Sequence, residues 1–335
     1  MGGARTWVVP VRRIEAVLDI PAELVATQTR YQGAAGRAFI AELPDRAARF
    51  LDRWRLRVTG PSMYGMCALV LPVTRADGVP AVLKLQILDD ETAGEPVALR
   101  AWGGEGAVRL LEYDGATGTL LLEALDPSRD LSRVEIREAV RIIAGTLARL
   151  TAVPAPAGLR TLGDIVARML ERVPGVLRAV DDPGERRLLA DCAAAVREVA
   201  GEPGDRLLHW DLHFDNVLAA ERAPWLAIDP KPLAGDPGFE LLPALHNRFE
   251  AADVRWRFDL MTEVMGLDRQ RAGAWTLARV LQIALWKWTG GEGRLGPDQE
   301  YVARALLAPR RRPGAAAGRR VARPAVDRAG CGHDS

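Results

Sequence analysis

HWDLHFDNVLAAERAPWLAID, residues 209–229, is the stretch whose reading decides the fold. Asp211 follows His209 by two residues, Asn216 follows Asp211 by five, and Asp229 follows Asn216 by thirteen. The apolar pieces VLAA (217–220) and WLAID (225–229) read as two short strands. Asn216 precedes the first piece and Asp229 closes the second. A carboxylate such as Asp211 can take the proton of a hydroxyl nucleophile. Asn216 and Asp229 offer the hard oxygen ligands that Mg2+ selects. Other chemistries fit less well. A zinc helix needs Glu directly after its first His, and Trp210 stands there. GPSMYG (60–65) has one residue too many for a nucleophilic serine turn. Gly-Lys-Ser/Thr, needed for a Walker A loop, does not occur.

The spacing His-x-Asp-x4-Asn, followed by an Asp on the next hairpin, is that of the protein-kinase catalytic loop. Such a plan requires a lysine in the third strand of a preceding lobe, and the sequence upstream supplies it. RWRLRVT (53–59), CALVLPV (67–73) and AVLKLQI (81–87) alternate or run apolar like strands, with a hairpin turn at RADG (75–78). A short helix over 95–102 and strands over 107–113 and 119–125 complete a βββαββ lobe. Lys84 lies in the third strand, before any other lysine of the chain. The chain has 45 basic residues, and all but Lys84, Lys231 and Lys287 are Arg, so a retained Lys is a candidate for chemistry that Arg does not do. An ammonium at Lys84 can bridge the α- and β-phosphates of ATP while a Glu on the following helix holds it. Glu95 is the candidate partner. Glu91 is the alternative, because Pro96 beside Glu95 is tolerated only in a first helical turn. The loop Gly60–Gly65 should cover the phosphates through Ser62 or backbone amides. Backbone groups near Glu123 to Leu125 should meet adenine in the hinge between lobes.

From Asp126 the pattern turns helical. Ile136, Val140, Ile143, Leu147 and Leu150 mark one helix. Leu162, Ile165, Val166, Met169 and Val173 mark a second, and Leu188, Leu189, Cys192, Val196 and Val199 a third. Further helices are expected at 239–249, 253–265, 271–288 and 298–308, with Trp275, Leu281, Leu285 and Trp288 as core. The implied domains are an N-lobe at 1–125, a helical C-lobe at 126–308, and a disordered basic tail at 309–335. The tail carries seven Arg against Asp327 and Asp334, a net +5 that leaves −4 for the rest of a chain with net charge +1. A mildly acidic body argues against nucleic acid as partner. The absence of a long apolar run argues against a membrane span. The three cysteines are odd in number and widely spaced, which suggests neither disulfide framework nor metal knuckle. The N-terminus lacks a signal peptide's apolar region. A cytoplasmic monomer acting on a small molecule is the expectation.

The run HWDLHFDNVLAAERAPWLAIDPKPLAGDPGFELLPALHNRFE (209–250) resembles the aminoglycoside O-phosphotransferase family, nearest its streptomycin and hydroxyurea phosphotransferase branch. DRWRL (52–56), PAVLKLQ (80–86), ALRAWGGEGAVRLLE (98–112) and TLLLEALDPSRDL (119–131) are similar in the same way. The likeness spans roughly residues 30–307. It implies an α+β, bilobal protein-kinase-like fold: a small antiparallel β-sheet N-lobe plus a mainly helical C-lobe. It further implies that Asp211 is the base, that Asn216 and Asp229 hold Mg2+, and that Lys84 contacts ATP. Asp236 in GDPGFEL (235–241) should cap the next helix rather than touch substrate. A cationic antibiotic would want carboxylates, for which Asp215, Glu240 and Glu250 are nearest in sequence. Streptomycin, with its two guanidinium groups, is the substrate favoured. Hydroxyurea, another small molecule, or a catalytically silent nucleotide-binding module are the alternatives.

Overall fold

The computed structural model describes residues 18–291 and 293–308. The tail 309–335 lies outside the described residues. Helix α1 (Ala22–Arg53) opens the described chain. It bends at Gly33, whose φ of 56° an L side chain rarely adopts. Phe39, Leu43, Ala47 and Phe50 recur at helical spacing and are buried. They pack on one face of a six-stranded sheet. Its strands are β1 (Arg57–Val58), β2 (Met63–Tyr64), β3 (Ala68–Thr74), β4 (Pro80–Gln86), β5 (Leu110–Asp114) and β6 (Thr119–Glu123). The order is β1-β3-β4-β6-β5, with β2 on β3, and the pairs are antiparallel.

Strand alternation divides this sheet between two cores. Leu83, Leu85 and Leu121 point to α1 and its apolar stripe. Leu120 and Leu122 point the other way, into the large core of the second lobe. Lys84 sits between Leu83 and Leu85 in sequence, so the pleat sends it to that second side, opposite Leu120 in register. Helix α2 (Glu95–Trp102) packs there through Ala98, Leu99 and Trp102, and the Trp102 indole donates to the Leu150 carbonyl at 3.1 Å.

The helices of the second lobe are α3 (Ile136–Leu150), α4 (Leu162–Ala179), α5 (Pro183–Val199), α6 (Leu241–His246), α7 (Val254–Val264), α8 (Arg269–Thr289) and α9 (Pro297–Leu307). Helix α8 is buried nearly all round, including Trp275, Leu281 and Leu285. Fully burying each such side chain is worth about 1.5–3 kcal/mol. Trp275, Leu281 and Leu285 are therefore core as expected, whereas Trp288 is only half-buried at the edge of it. No helix among the described residues is long and apolar enough to cross a membrane.

Three local expectations are corrected. The alternating run 53–59 is mostly the end of α1 and its exit turn, and only Arg57–Val58 pairs as strand. The expected turn 60–65 contributes the short strand β2. DPSRD, where the sequence pattern turns helical, instead forms strand β7 (Asp126–Asp130) against β9 (Val217–Ala219), which pairs in turn with β10 (Leu226–Ala227). Its own residues carry no apolar period. The apolar hairpin that it meets makes it a strand. Strand β8 (Arg206–Leu208) pairs with β11 (Leu233–Gly235).

Candidate active site

The β9–β10 hairpin and the segment before it hold the residues of the catalytic-loop pattern. His209 is fully buried and stacks on Trp102 at 6.1 Å. Burial lowers its pKa to about 4, so the ring is neutral. One tautomer satisfies both nitrogens: Nε2–H donates to the Ile228 carbonyl at 3.0 Å, and Nδ1 accepts the Asp211 amide at 3.4 Å. This ties the loop to the hairpin and turns the ring away from any zinc role. Asn216 donates its amide to the Asp211 carbonyl at 3.0 Å, so its Oδ1 is the atom that it can offer a cation. The Ile228 amide donates to the Asn216 carbonyl at 2.9 Å.

Two residues of this frame hold left-handed backbone: Trp210 at φ 69° and Asp229 at φ 58°. Non-glycine residues in that region cost of order 1–3 kcal/mol and need over-determined surroundings. Trp210 has them. Its amide donates to both carboxyl oxygens of Glu240, at 2.9 and 3.1 Å. Its ring lies between the Arg160 and Arg279 guanidinium groups, 4.3 and 4.4 Å from the centroid. Glu240 is delivered by the GDPGFE turn. Asp236 caps that turn on the Gly238 amide at 2.8 Å and takes Arg271 Nε at 2.6 Å. A Cβ at Gly238 would lie 2.8 Å from the Ala272 Cα of α8, so this close approach requires glycine.

In the first lobe Lys84 lies 2.7 Å from Glu95 Oε1 and 2.6 Å from Asp229 Oδ1. Burial alone would lower the Lys84 pKa, but Asp229 and Glu95 outweigh it and hold it above its ordinary value. Glu95 is the first residue of α2, which puts Pro96 in the first turn, where its missing N–H breaks no helical bond. That resolves the choice of partner. Glu91 instead faces Arg160 at 3.8 Å, on the loop before α2. Lys231 completes the cluster, 3.2 Å from Asp229 Oδ2 and 3.7 Å from Asp211 Oδ2. Burial opposes ionisation of Asp229, yet the two lysines hold its carboxyl far below the usual carboxylate range.

Two hollows lie near the catalytic-loop residues. A cleft of 490 Å³ between the lobes is lined by Lys84, Glu95, Glu123, Leu125, Asn216 and Asp229, with Asp215 and Lys231 at the same wall. A second hollow of 310 Å³ is lined by Asp90, Glu91, Arg160, Arg168, Trp210 and Trp286, among others. Asp211 lines neither hollow but adjoins both through its neighbours. Its ion-pair partner Lys231 lines the first, and its chain neighbour Trp210 lines the second.

Several sequence expectations change. Ser62 does not face the cleft; its hydroxyl bonds the Asp19 carbonyl, and Met63 to Cys67 line the cleft instead. Gln28 of α1 holds that loop through the Met66 carbonyl at 2.8 Å. The Glu123 carboxylate is taken by Arg222 and the Arg109 amide. Glu240 is fully buried under the catalytic loop and cannot meet a substrate. Glu250 is exposed and lines neither hollow. Asp215 lines the larger cleft and is bonded by Asn247 at 2.9 Å. Sequence reasoning missed the pairing of Lys231 with Asp211 and Asp229, although the scarcity of lysine had flagged it. It also missed Arg160 and Arg279 around Trp210, for which no local signal exists.

The family profile described as aminoglycoside/hydroxyurea antibiotic resistance kinase matches residues 53–291. The chain belongs to that family. Its members are small-molecule kinases, and so is this protein. It is 64% identical over 306 residues to a hydroxyurea phosphotransferase of Kitasatospora aureofaciens, covering 90% of this chain and 89% of that one. It is 54% identical over 299 residues to a streptomycin 6-kinase of Streptomyces glaucescens, covering 87% and 97%. Among solved structures, the aminoglycoside phosphotransferase APH(4)-Ia, in a ternary complex with ADP and hygromycin B, matches with a TM-score of 0.56 at 13% identity. That match covers 77% of this chain and 96% of that one. The kinase-like fold of the chain is thereby shown.

Proposed function

We propose that the protein transfers the γ-phosphate of ATP to a hydroxyl of an aminoglycoside, streptomycin in particular, with Asp211 as general base. The observation that carries this reading is the chain of ion pairs Glu95–Lys84–Asp229–Lys231–Asp211, which joins Asp211 to the charged wall of the larger cleft. The nucleotide takes that cleft, with its adenine near Glu123–Leu125 and its phosphates at Lys84. The acceptor takes the smaller hollow, against Trp210. Residues to 125 form the nucleotide lobe and 126–308 carry the acceptor side. Asn216 Oδ1 and the Asp229 carboxylate fit Mg2+, which takes one or two protein oxygens and completes its shell with phosphate and water. Bound there, Mg2+ would neutralise charge on the phosphates. Asp211 orients the hydroxyl and accepts its proton.

Streptomycin kinases at 54% and 51% identity support the substrate. So does the hollow itself, which a molecule as small as hydroxyurea would leave mostly empty. Asp90 and Glu91 on its wall can pair with guanidinium groups, in competition with Arg160, Arg168 and Arg172 of the same wall, of which Arg160 already faces Glu91 at 3.8 Å. The relative at 64% identity favours hydroxyurea as the second reading. Purified protein with ATP and Mg2+ decides between them. Phosphorylated streptomycin, with a KM that rises with salt, is expected. Transfer to hydroxyurea alone, with no salt effect, would replace the substrate and leave the kinase chemistry standing. Asp211→Ala is expected to lower turnover at least ~10²-fold. Near-normal turnover in that variant removes Asp211 from the base role.

A further inference from the structure

We propose that Lys231 is a catalytic residue of the phosphoryl transfer, its ammonium contacting the γ-phosphoryl group as it moves toward the hydroxyl held by Asp211. This rests on the reading of Asp211 as base and of the larger cleft as the nucleotide site. Lys231 Nζ stands between the two functional carboxylates, 3.2 Å from Asp229 Oδ2 and 3.7 Å from Asp211 Oδ2. A group passing from a phosphate chain beside Asp229 to a hydroxyl beside Asp211 must cross the space that this ammonium serves. In the transfer the acceptor O–H proton goes to Asp211 and a bond forms from that oxygen to the γ-phosphorus. The bond from the γ-phosphorus to the β,γ-bridging oxygen breaks, and ADP leaves with the electron pair. Charge spreads over the three equatorial oxygens of the group in flight. A preplaced cation at that point stabilises the transition state more than either end state.

The other neighbours are less suited. Lys84 is tethered by Glu95 on the far side of Asp229. Two residues beyond Asp211 stands His213, which faces Asp215 at 3.2 Å. The Arg279 guanidinium is stacked over Trp210. Lys231 is also fixed where it is by its backbone rather than by its charge. Its amide donates to the His209 carbonyl at 3.0 Å, its carbonyl accepts from Arg160 at 3.1 Å, and Pro230 and Pro232 flank it. The ammonium is therefore removable without moving the main chain. Lysine suits the task because it is a compact point charge on a flexible stem, where the planar fork of Arg would span both carboxylates.

The test uses the full chain with Lys231→Met and Lys231→Arg. Four quantities are measured: melting temperature, dissociation constants for ADP and for a non-hydrolysable ATP analogue, kcat, and acceptor KM. The Met variant is expected to melt within a few degrees of wild type and to bind ADP within about twofold. It should bind the ATP analogue several-fold more weakly and lose ~10²–10³ in kcat, the range for one transition-state donor, with acceptor KM little changed. The Arg variant should recover only part of kcat. A Met variant that does not fold, that loses ADP and ATP analogue alike, or that keeps kcat within tenfold overturns the proposal. Each of those outcomes would make Lys231 a neutraliser of two carboxylates and nothing more. Wild-type protein inactive on every acceptor would instead defeat the functional reading. The ADP-against-ATP comparison needs no acceptor and would still report on Lys231.

Discussion

Glu95 and Glu240 are both fully buried, and each holds a functional group in place by a different kind of bond. Glu95 grips an ammonium, Lys84, at 2.7 Å. Glu240 grips backbone, the strained amide of Trp210 next to Asp211. Burial raises both carboxyls, but Lys84 opposes the rise at Glu95, whereas Glu240 is pushed up to about 7 with only amides and more distant Arg279 to counter it. The contrast teaches that a buried acid can position a site through charge or through geometry. The two should fail differently when broken.

The largest effect is expected at Glu95. Glu95→Ala leaves Lys84 buried with Asp229 alone, and breaking a buried pair costs about 3–5 kcal/mol. Melting temperature should fall steeply and ATP affinity at least tenfold, because Lys84 loses the tether that aims it. Unchanged ATP affinity would show that Asp229 alone positions the lysine.

Glu240→Ala comes next. It strips the Trp210 amide of its acceptor, a cost of about 1–3 kcal/mol per buried donor. Its signature is kinetic. A small displacement of Asp211 should cost ~10²-fold in kcat, with ATP affinity preserved. An equal loss in both would erase the distinction between the two anchors.

A third measurement separates them by pH. Glu240 titrates near its ordinary value of 4.5 when unfolded and near 7 when folded. The folded state therefore binds more protons in that window, and this group's contribution to stability falls as pH rises from 4.5 to 7. His209, lowered from 6.5 to about 4, acts oppositely, and its contribution is lost as pH falls through that range. Glu240→Gln keeps an acceptor and removes only the first effect. Its stability relative to wild type should climb between pH 4.5 and 7 in paired urea titrations. A flat difference would show that Glu240 stays ionised throughout.

The smallest effect is expected at Glu91. It lies near the same helix but is 40% exposed and 3.8 Å from Arg160. Glu91→Gln should change stability by less than about 1 kcal/mol and leave ATP affinity alone. A larger loss of ATP affinity would mean that Glu91 joins Glu95 and Asp229 as a partner of Lys84 in solution.

By itself the sequence determined what local pattern can encode. The alternation around Lys84 marks a strand, the helical stripes of the second lobe mark its core, and the spacing of Asp211, Asn216 and Asp229 marks a loop and hairpin. Those signals survive because each is written in neighbouring residues. Carboxylates that line the second hollow could not be located this way: Glu240 is close to Asp211 in sequence but lies beneath the loop, and Glu91 is distant but lines that hollow. DPSRD became a strand only because β9 lay ready to pair with it. Tertiary structure alone decided that Lys231 lies between two carboxylates and that Trp210 is clasped by Arg160 and Arg279. The physical reason is reach. Hydrogen bonds and ion pairs act over a few ångströms of space, and chain folding brings residues from 84, 160, 231 and 279 within that distance where no local period links them.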